Sequence, residues 1–207
     1  MRWLVVCSLL LLGSTAAQAN FISDIVEEII NLFQTYEEAP YNVTRTANGY
    51  EERLYEARKW VCSRSNSYSD PDMAVLAWRL NHYMTGDHSG QDKVYMGLPV
   101  TTEYLQRGPQ DKTFTLCFLI DQKHQDDPPT PTNKFVFIEH RLEMRVLTRT
   151  VGGYMYHENE WMEEAGKLAA IIQQEGESVS LNHVHWASYD FPWKFWNRRN
   201  EVWFPVA

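Results

Sequence analysis

Glu51-Glu52-Arg53-Leu54 recurs 88 positions later as Glu139-His140-Arg141-Leu142, and the helix-like stretches that follow keep the same offset. Met73, Ala77 and Leu80 fall on Trp161, Ala165 and Leu168 without a gap, so the apolar stripes of two expected helices coincide. One folding unit used twice is the reading, and such a duplication builds a single pseudo-symmetric domain around a shared interior. Its functional consequence is a groove or crevice rather than a ready-made catalytic constellation.

Working outward, the first unit reads strand, helix, strand, strand. Tyr50 to Cys62 is extended, and Asp70-Pro71 supplies an N-cap and a first-turn proline for a helix ending near Gly86. Val94 to Tyr104 and Phe114 to Ile120 alternate as half-buried strands do. Gln122 to Asn133, with Pro128, Pro129 and Pro131, is a loop between the halves. The second unit repeats the order, with Phe135 to Val151 extended, a helix over Glu158 to Glu175 closed by Gly176, and strands at Val179 to Tyr189 and Glu201 to Val206. The expected fold is α+β: a distorted antiparallel β-barrel of two pseudo-symmetric βαββ repeats, about 49–121 and 134–207, with two covering helices.

Before this domain, Arg2, the apolar run Leu4 to Leu12 and the exit Ala17-Gln18-Ala19 read as a secretory signal peptide over 1–19. The run is far shorter than the roughly 20 residues a membrane span needs, and no later stretch approaches that length. Residues 20–48 then read as an N-terminal amphipathic helix, with Phe21, Ile22, Ile25, Val26, Ile29, Ile30 and Phe33 at helical spacing, and a linker from Tyr36 to Asn48. Cleavage removes Cys7 and leaves Cys62 and Cys117, which an oxidising compartment favours as a disulfide over two buried thiols. Asn42-Val43-Thr44 is a glycosylation sequon. Removing Arg2 from 19 basic residues leaves 18 against 27 acidic, a net −9, so nucleic acid and anionic membranes are not expected partners.

Tyr50-Glu51-Glu52-Arg53-Leu54-Tyr55 followed by Lys59-Trp60-Val61, the turn-like Leu98-Pro99-Val100-Thr101, Val136-Phe137-Ile138-Glu139 and above all Asn197-Arg198-Arg199-Asn200-Glu201-Val202-Trp203 resemble the SOUL haem-binding family. The resemblance spans about Tyr50 to Phe204. It implies a distorted barrel of two βαββ repeats that binds haem or other tetrapyrroles without an established reaction. One branch of the family is linked to cell death through a segment corresponding to the second helix; the leader and the cysteine pair set this chain apart from it. Leu54 occupies the position where another branch carries a histidine proposed as an axial iron ligand; leucine cannot ligate, so coordination by that route is excluded while binding by hydrophobic contact is not.

The family's haem surface lies along the first helix, where Ala74, Trp78, Asn81 and His82 share a face apart from Met73, Leu76, Leu80 and Tyr83. A macrocycle could stack on Trp78, with His82 on iron or a propionate and Arg79 on the second carboxylate; the plain alternative is Trp78 packed under a loop and His82 solvated. His183-Val184-His185 points two imidazoles to one strand face as a weak metal candidate that His140 or a nearby acid would have to complete. Trp186, Tyr189, Phe191, Trp193, Phe195, Trp196 and Trp203 either line a planar ligand's pocket or close the barrel end, with Trp203 and Phe204 assigned to the core. Glu51 and Glu139 are expected to pair with Arg53, Arg141 or Arg199 as scaffold. No Cys-x-x-Cys, Gly-x-Ser-x-Gly, phosphate-binding glycine loop or His-Glu-x-x-His occurs. The sequence therefore reads as a secreted, non-enzymatic carrier or scavenger of a small planar hydrophobic ligand, haem or a related tetrapyrrole, with an unknown protein partner. The alternatives are an extracellular interaction protein that has lost the ligand and a metal-dependent enzyme using His183 and His185.

Overall fold

The computed structural model describes residues 36–191 and 193–206. The expected leader and the amphipathic helix at Phe21 to Phe33 lie outside the described residues. The chain runs β1 (Tyr41–Ala47), β2 (Tyr50–Tyr55), β3 (Arg58–Ser65), α1 (Asp70–Thr85), β4 (Met96–Gly108), β5 (Asp111–Ile120), β6 (Val136–Arg141), β7 (Met144–Val151), α2 (Glu158–Gln174), β8 (His183–Ser188) and β9 (Asn200–Val206).

All nine strands join one antiparallel sheet in the order β1-β2-β7-β9-β8-β4-β5-β3-β6. It curls into a half-barrel whose edges, β1 and β6, share no ladder among the described residues. The expected barrel is thus open, because strand alternation specifies which face is buried but not whether the two ends meet. Three further corrections concern strands. The segment read as a linker contains β1, which pairs antiparallel with β2. Each opening stretch read as one strand breaks in two, at Glu56-Ala57 and at Leu142-Glu143, because its parts serve different neighbours: β2 pairs with β7, whereas β3 pairs with β5 and β6. Leu98-Pro99-Val100-Thr101 is not a turn but part of β4, where the Leu98–Pro99 peptide is cis and the register with β5 shifts between Gly97 and Thr101. Proline has no N–H to give the ladder, so an irregularity is the place for it in a central strand.

The helices form where their caps dictate. The Ser69 hydroxyl, rather than Asp70, accepts the Asp72 N–H at 3.3 Å, and Gly86 ends α1 at φ 141°. At α2, the Glu160 carboxylate accepts the His157 N–H at 2.9 Å, and its buried stripe is the expected Trp161, Ala165, Leu168 and Ile172. Leu76, Leu80, Tyr83 and Met84 are the buried side of α1.

The sheet buries both faces. Under the helices lie Tyr104, Phe114, Val184 and Trp186 with α2, and Val61, Leu116, Phe118 and Ile120 with α1. On the opposite face Tyr55, Trp60, Leu119, Tyr189 and Trp203 pack around Cys62 and Cys117. These cysteines are bonded to each other at directly opposed positions of β3 and β5.

One carboxylate, fully buried, ties this inner face together. Glu201 on β9 accepts from Arg53 Nη1 at 3.0 Å, Arg199 Nε at 2.9 Å, Tyr189 Oη at 2.8 Å and Trp203 Nε1 at 2.8 Å. Burial by itself would raise its pKa, but Arg53, Trp203, Arg199 and Tyr189 together hold it below the ordinary carboxylate value. The scaffold pairs expected from the repeat are both present: Arg53 Nε donates to Glu51 at 2.8 Å and Arg141 Nε to Glu139 at 3.1 Å.

Two outcomes follow from this carboxylate. Arg53→Ala strips a buried carboxylate of its strongest charge partner, and urea unfolding should show a loss of about 3–5 kcal/mol. Because the folded pKa of Glu201 is depressed, its stabilisation is complete above pH about 4.5 and is lost as pH falls through the lower folded value. Midpoints measured from pH 7 down to 3 should therefore fall less steeply below pH 4.5 in Glu201→Gln than in the parent, from a lower starting stability.

Candidate functional site

On the helical face, between α1 and α2 and above the middle of the sheet, lies a cavity of about 440 Å³. Met73 and Ala77 of α1 and Trp161 of α2 form its walls, and Leu98, Val100 and Trp186 its floor. The geometry follows from local rules. The irregular start of β4 sets Leu98, Val100 and Thr102 on the cavity side, while small Ala77 leaves open the space a longer side chain would fill. Trp161 and Trp186 lie nearly parallel, their rings 5.6 Å apart and 8° from coplanar, giving a flat aromatic wall.

Two connections make the mouth. Ahead of α2, the Tyr154 and Tyr156 rings stack at 5.2 Å. Between β8 and β9, the Phe191 and Trp193 rings stack at 4.7 Å, and Arg198 lies over Tyr154 at 4.3 Å. Trp193, Phe195 and Trp196 remain 60, 77 and 57 % exposed, so this loop carries three large rings into solvent. Arg198 shapes the loop by donating to the backbone carbonyls of Phe191 at 2.6 Å, Lys194 at 2.7 Å and Asp190 at 3.0 Å. Its Nε is buried with no hydrogen-bond partner, a donor without an acceptor at the edge of an apolar cavity.

The residues singled out on α1 occupy a different face. Successive helical positions are about 100° apart, so Trp78 points away from the cavity that Ala77 lines. Ala74, Trp78 and Asn81 are exposed, Trp78 at 59 %. The His82 ring lies 4.0 Å from that of Trp78, and its Nδ1 is 3.4 Å from an Asp87 carboxylate oxygen. Arg79 covers the Phe135 ring at 4.5 Å. Trp203 and Phe204 are fully buried, as their place in the last strand implied. Tyr154 and Tyr156, which line the cavity, were not singled out from sequence; the available signal was an aromatic pair following Gly152-Gly153, a turn that presents rings just before a helix.

His183 and His185 point to the face opposite the cavity. His183 Nε2 is 2.9 Å from Glu103 Oε1, and Glu103, not His140, is the acid that joins them. Asn42 of the sequon is exposed on the edge strand β1.

A family profile described as SOUL heme-binding protein matches residues 36–205. The chain is 34 % identical over 170 residues to heme-binding protein 2 of Homo sapiens, covering 80 % of this chain and 82 % of that one. It is 31 % identical over 160 residues to heme-binding protein 1 of Xenopus tropicalis, covering 75 % of this chain and 82 % of the relative. Among solved structures, the C-terminal domain of EcmrR shares the fold at a TM-score of 0.55 and 12 % identity, covering 76 % of this chain and 98 % of that domain.

The two tryptophans separate wall from surface. Trp186→Ala opens a void in the core and should cost about 3–5 kcal/mol in denaturant unfolding. Trp78→Ala, on an exposed face, should stay within about 0.5 kcal/mol of the parent.

Proposed function

Because the chain belongs to the SOUL haem-binding protein family, we propose that it binds haem or a related tetrapyrrole in the cavity between α1 and α2 without carrying out a reaction on it. The observation that carries this reading is the cavity itself: about 440 Å³, walled by parallel indoles and thioethers, in the size range of small-molecule sites. A flat macrocycle has aromatic faces to stack against, and the Arg198 guanidinium at the mouth supplies a positive charge toward a propionate. No histidine lines the cavity among the described residues, and Leu54 offers no ligand either. The chain's own contribution is then apolar enclosure and a charged clamp.

A second reading places the ligand on the solvent face of α1, against Ala74, Trp78, Arg79, Asn81 and His82; the exposed Trp78 ring with His82 beside it supports that surface. Export of the chain, a carrier or scavenger role outside the cell and a glycan at Asn42 belong to the same proposal. The bonded Cys62–Cys117 pair and the accessible sequon support them. We infer also that 50–120 and 136–206 descend from one duplicated unit. Exchanging β2, β3, β4 and β5 with β6, β7, β8 and β9 turns the pairing order from β2 to β6 into its own reverse, as a two-fold between β4 and β8 requires.

Haem titration of the purified chain, followed by Soret absorbance, tests the site. Ala77→Trp fills the cavity and should weaken binding by about tenfold or more, each factor of ten being about 1.4 kcal/mol. His82→Ala and Trp78→Ala should leave it within about twofold; the reverse pattern moves the ligand to the outer face. Arg198→Gln removes one charge-assisted hydrogen bond and should weaken the dicarboxylic porphyrin about tenfold while sparing its dimethyl ester.

A further inference from the structure

The sheet face turned away from the cavity carries a second cluster of donor atoms. Along β8, Val184 and Trp186 pack beneath α2, so His183 and His185 point the other way. On the adjacent β4, Glu103 is the register partner of His185 and diagonal to His183. Cross-strand neighbours at this spacing bring their side chains into contact. One donor atom from each of the three lies within 4.8 Å of the others, and His183 Nε2 already meets Glu103 Oε1 at 2.9 Å.

Two properties make this more than an ion pair. His185 is only 4 % exposed, and its Nδ1 has no hydrogen-bond partner, although buried polar atoms are nearly always satisfied. Access is open, since the His183 side chain is 41 % exposed and that of Glu103 21 %.

We propose that Glu103, His183 and His185 form a binding site for one divalent late first-row metal ion, zinc in the first instance, separate from the tetrapyrrole cavity. Two imidazoles and a carboxylate are the donor set such ions take, and three protein ligands leave a fourth position for water. Metal–ligand bonds of about 2.0–2.2 Å require donors roughly 3.4 Å apart, so the ion replaces the His183–Glu103 hydrogen bond and draws the outer atoms together. Arg141 is the opposing charge. Its Nε is engaged by Glu139 at 3.1 Å and its Nη1 donates to Thr101 at 3.0 Å, so Glu103 and Glu139 together outnumber it.

The test is calorimetric titration of the metal-stripped full chain with zinc chloride in a non-coordinating buffer. One zinc per chain is expected, with His183→Ala and Glu103→Gln each weakening it by about tenfold or more and His124→Ala, a remote histidine paired with Asp121, within about twofold. Both informative variants change partly exposed side chains and spare buried His185, and far-UV circular dichroism confirms their fold. Absence of stoichiometric binding, or binding that His183→Ala and Glu103→Gln leave intact, overturns the proposal. Because the site lies across the sheet from the cavity, this outcome is independent of whether haem binds.

Discussion

The buried carboxylate of Glu201 is the constraint around which the inner face of this protein is arranged. It sits at the last strand, yet its donors come from β2, from the loop ahead of β9 and from β9 itself, so satisfying one charge fixes three parts of the chain together. Arg199 continues the connection to Glu38 at 3.1 Å, bringing the segment before β1 into the same network. An uncompensated charge at this depth would cost far more than any single contact returns, so the arrangement is all-or-none. The aromatic rings that shield it, Tyr41 over Arg53 at 4.3 Å and Tyr189 over Arg199 at 3.6 Å, complete the enclosure.

That rigid, polar inner face frees the outer one. With the strands pinned from beneath, the helical side need not be filled completely, and the gap between α1 and α2 persists as a cavity instead of collapsing. Its walls belong to both helices and both halves of the chain, while its mouth is made of loops that the strands merely hold apart. A single sheet therefore carries the buried charge network on one face and the open cavity on the other. It also separates two chemistries, an apolar slot on one side and imidazole with carboxylate on the other.

Much of this was legible in the residues. The repeated Glu-x-Arg, Glu51 with Arg53 and Glu139 with Arg141, announced scaffold ion pairs because charges recurring at one strand spacing in both halves must meet similar surroundings. Helical stripes were readable for the same reason: Trp161, Ala165, Leu168 and Ile172 repeat at a period set by local geometry alone. What escaped was everything that depends on which strands become neighbours. The break at Glu56-Ala57 carries no glycine or proline to mark it, and β1 hides in a polar stretch because an edge strand buries little. Ala77 and Trp78 differ by one position along α1, and which of them lines the cavity was settled only when the second helix took its place.

Composition, periodicity and motif by themselves determined the α+β class, the two helices with their buried stripes and the family resemblance, since each rests on interactions between residues close in sequence or on patterns they repeat; the cysteine pair, 55 positions apart, was legible from its count and expected compartment. Tertiary structure alone decided that the barrel stays open, that the cavity lies beside Ala77, and that Glu103 joins His183 and His185. These depend on contacts between residues tens of positions apart, whose formation is governed by how the whole sheet closes on its buried charge and not by any local preference of the chain.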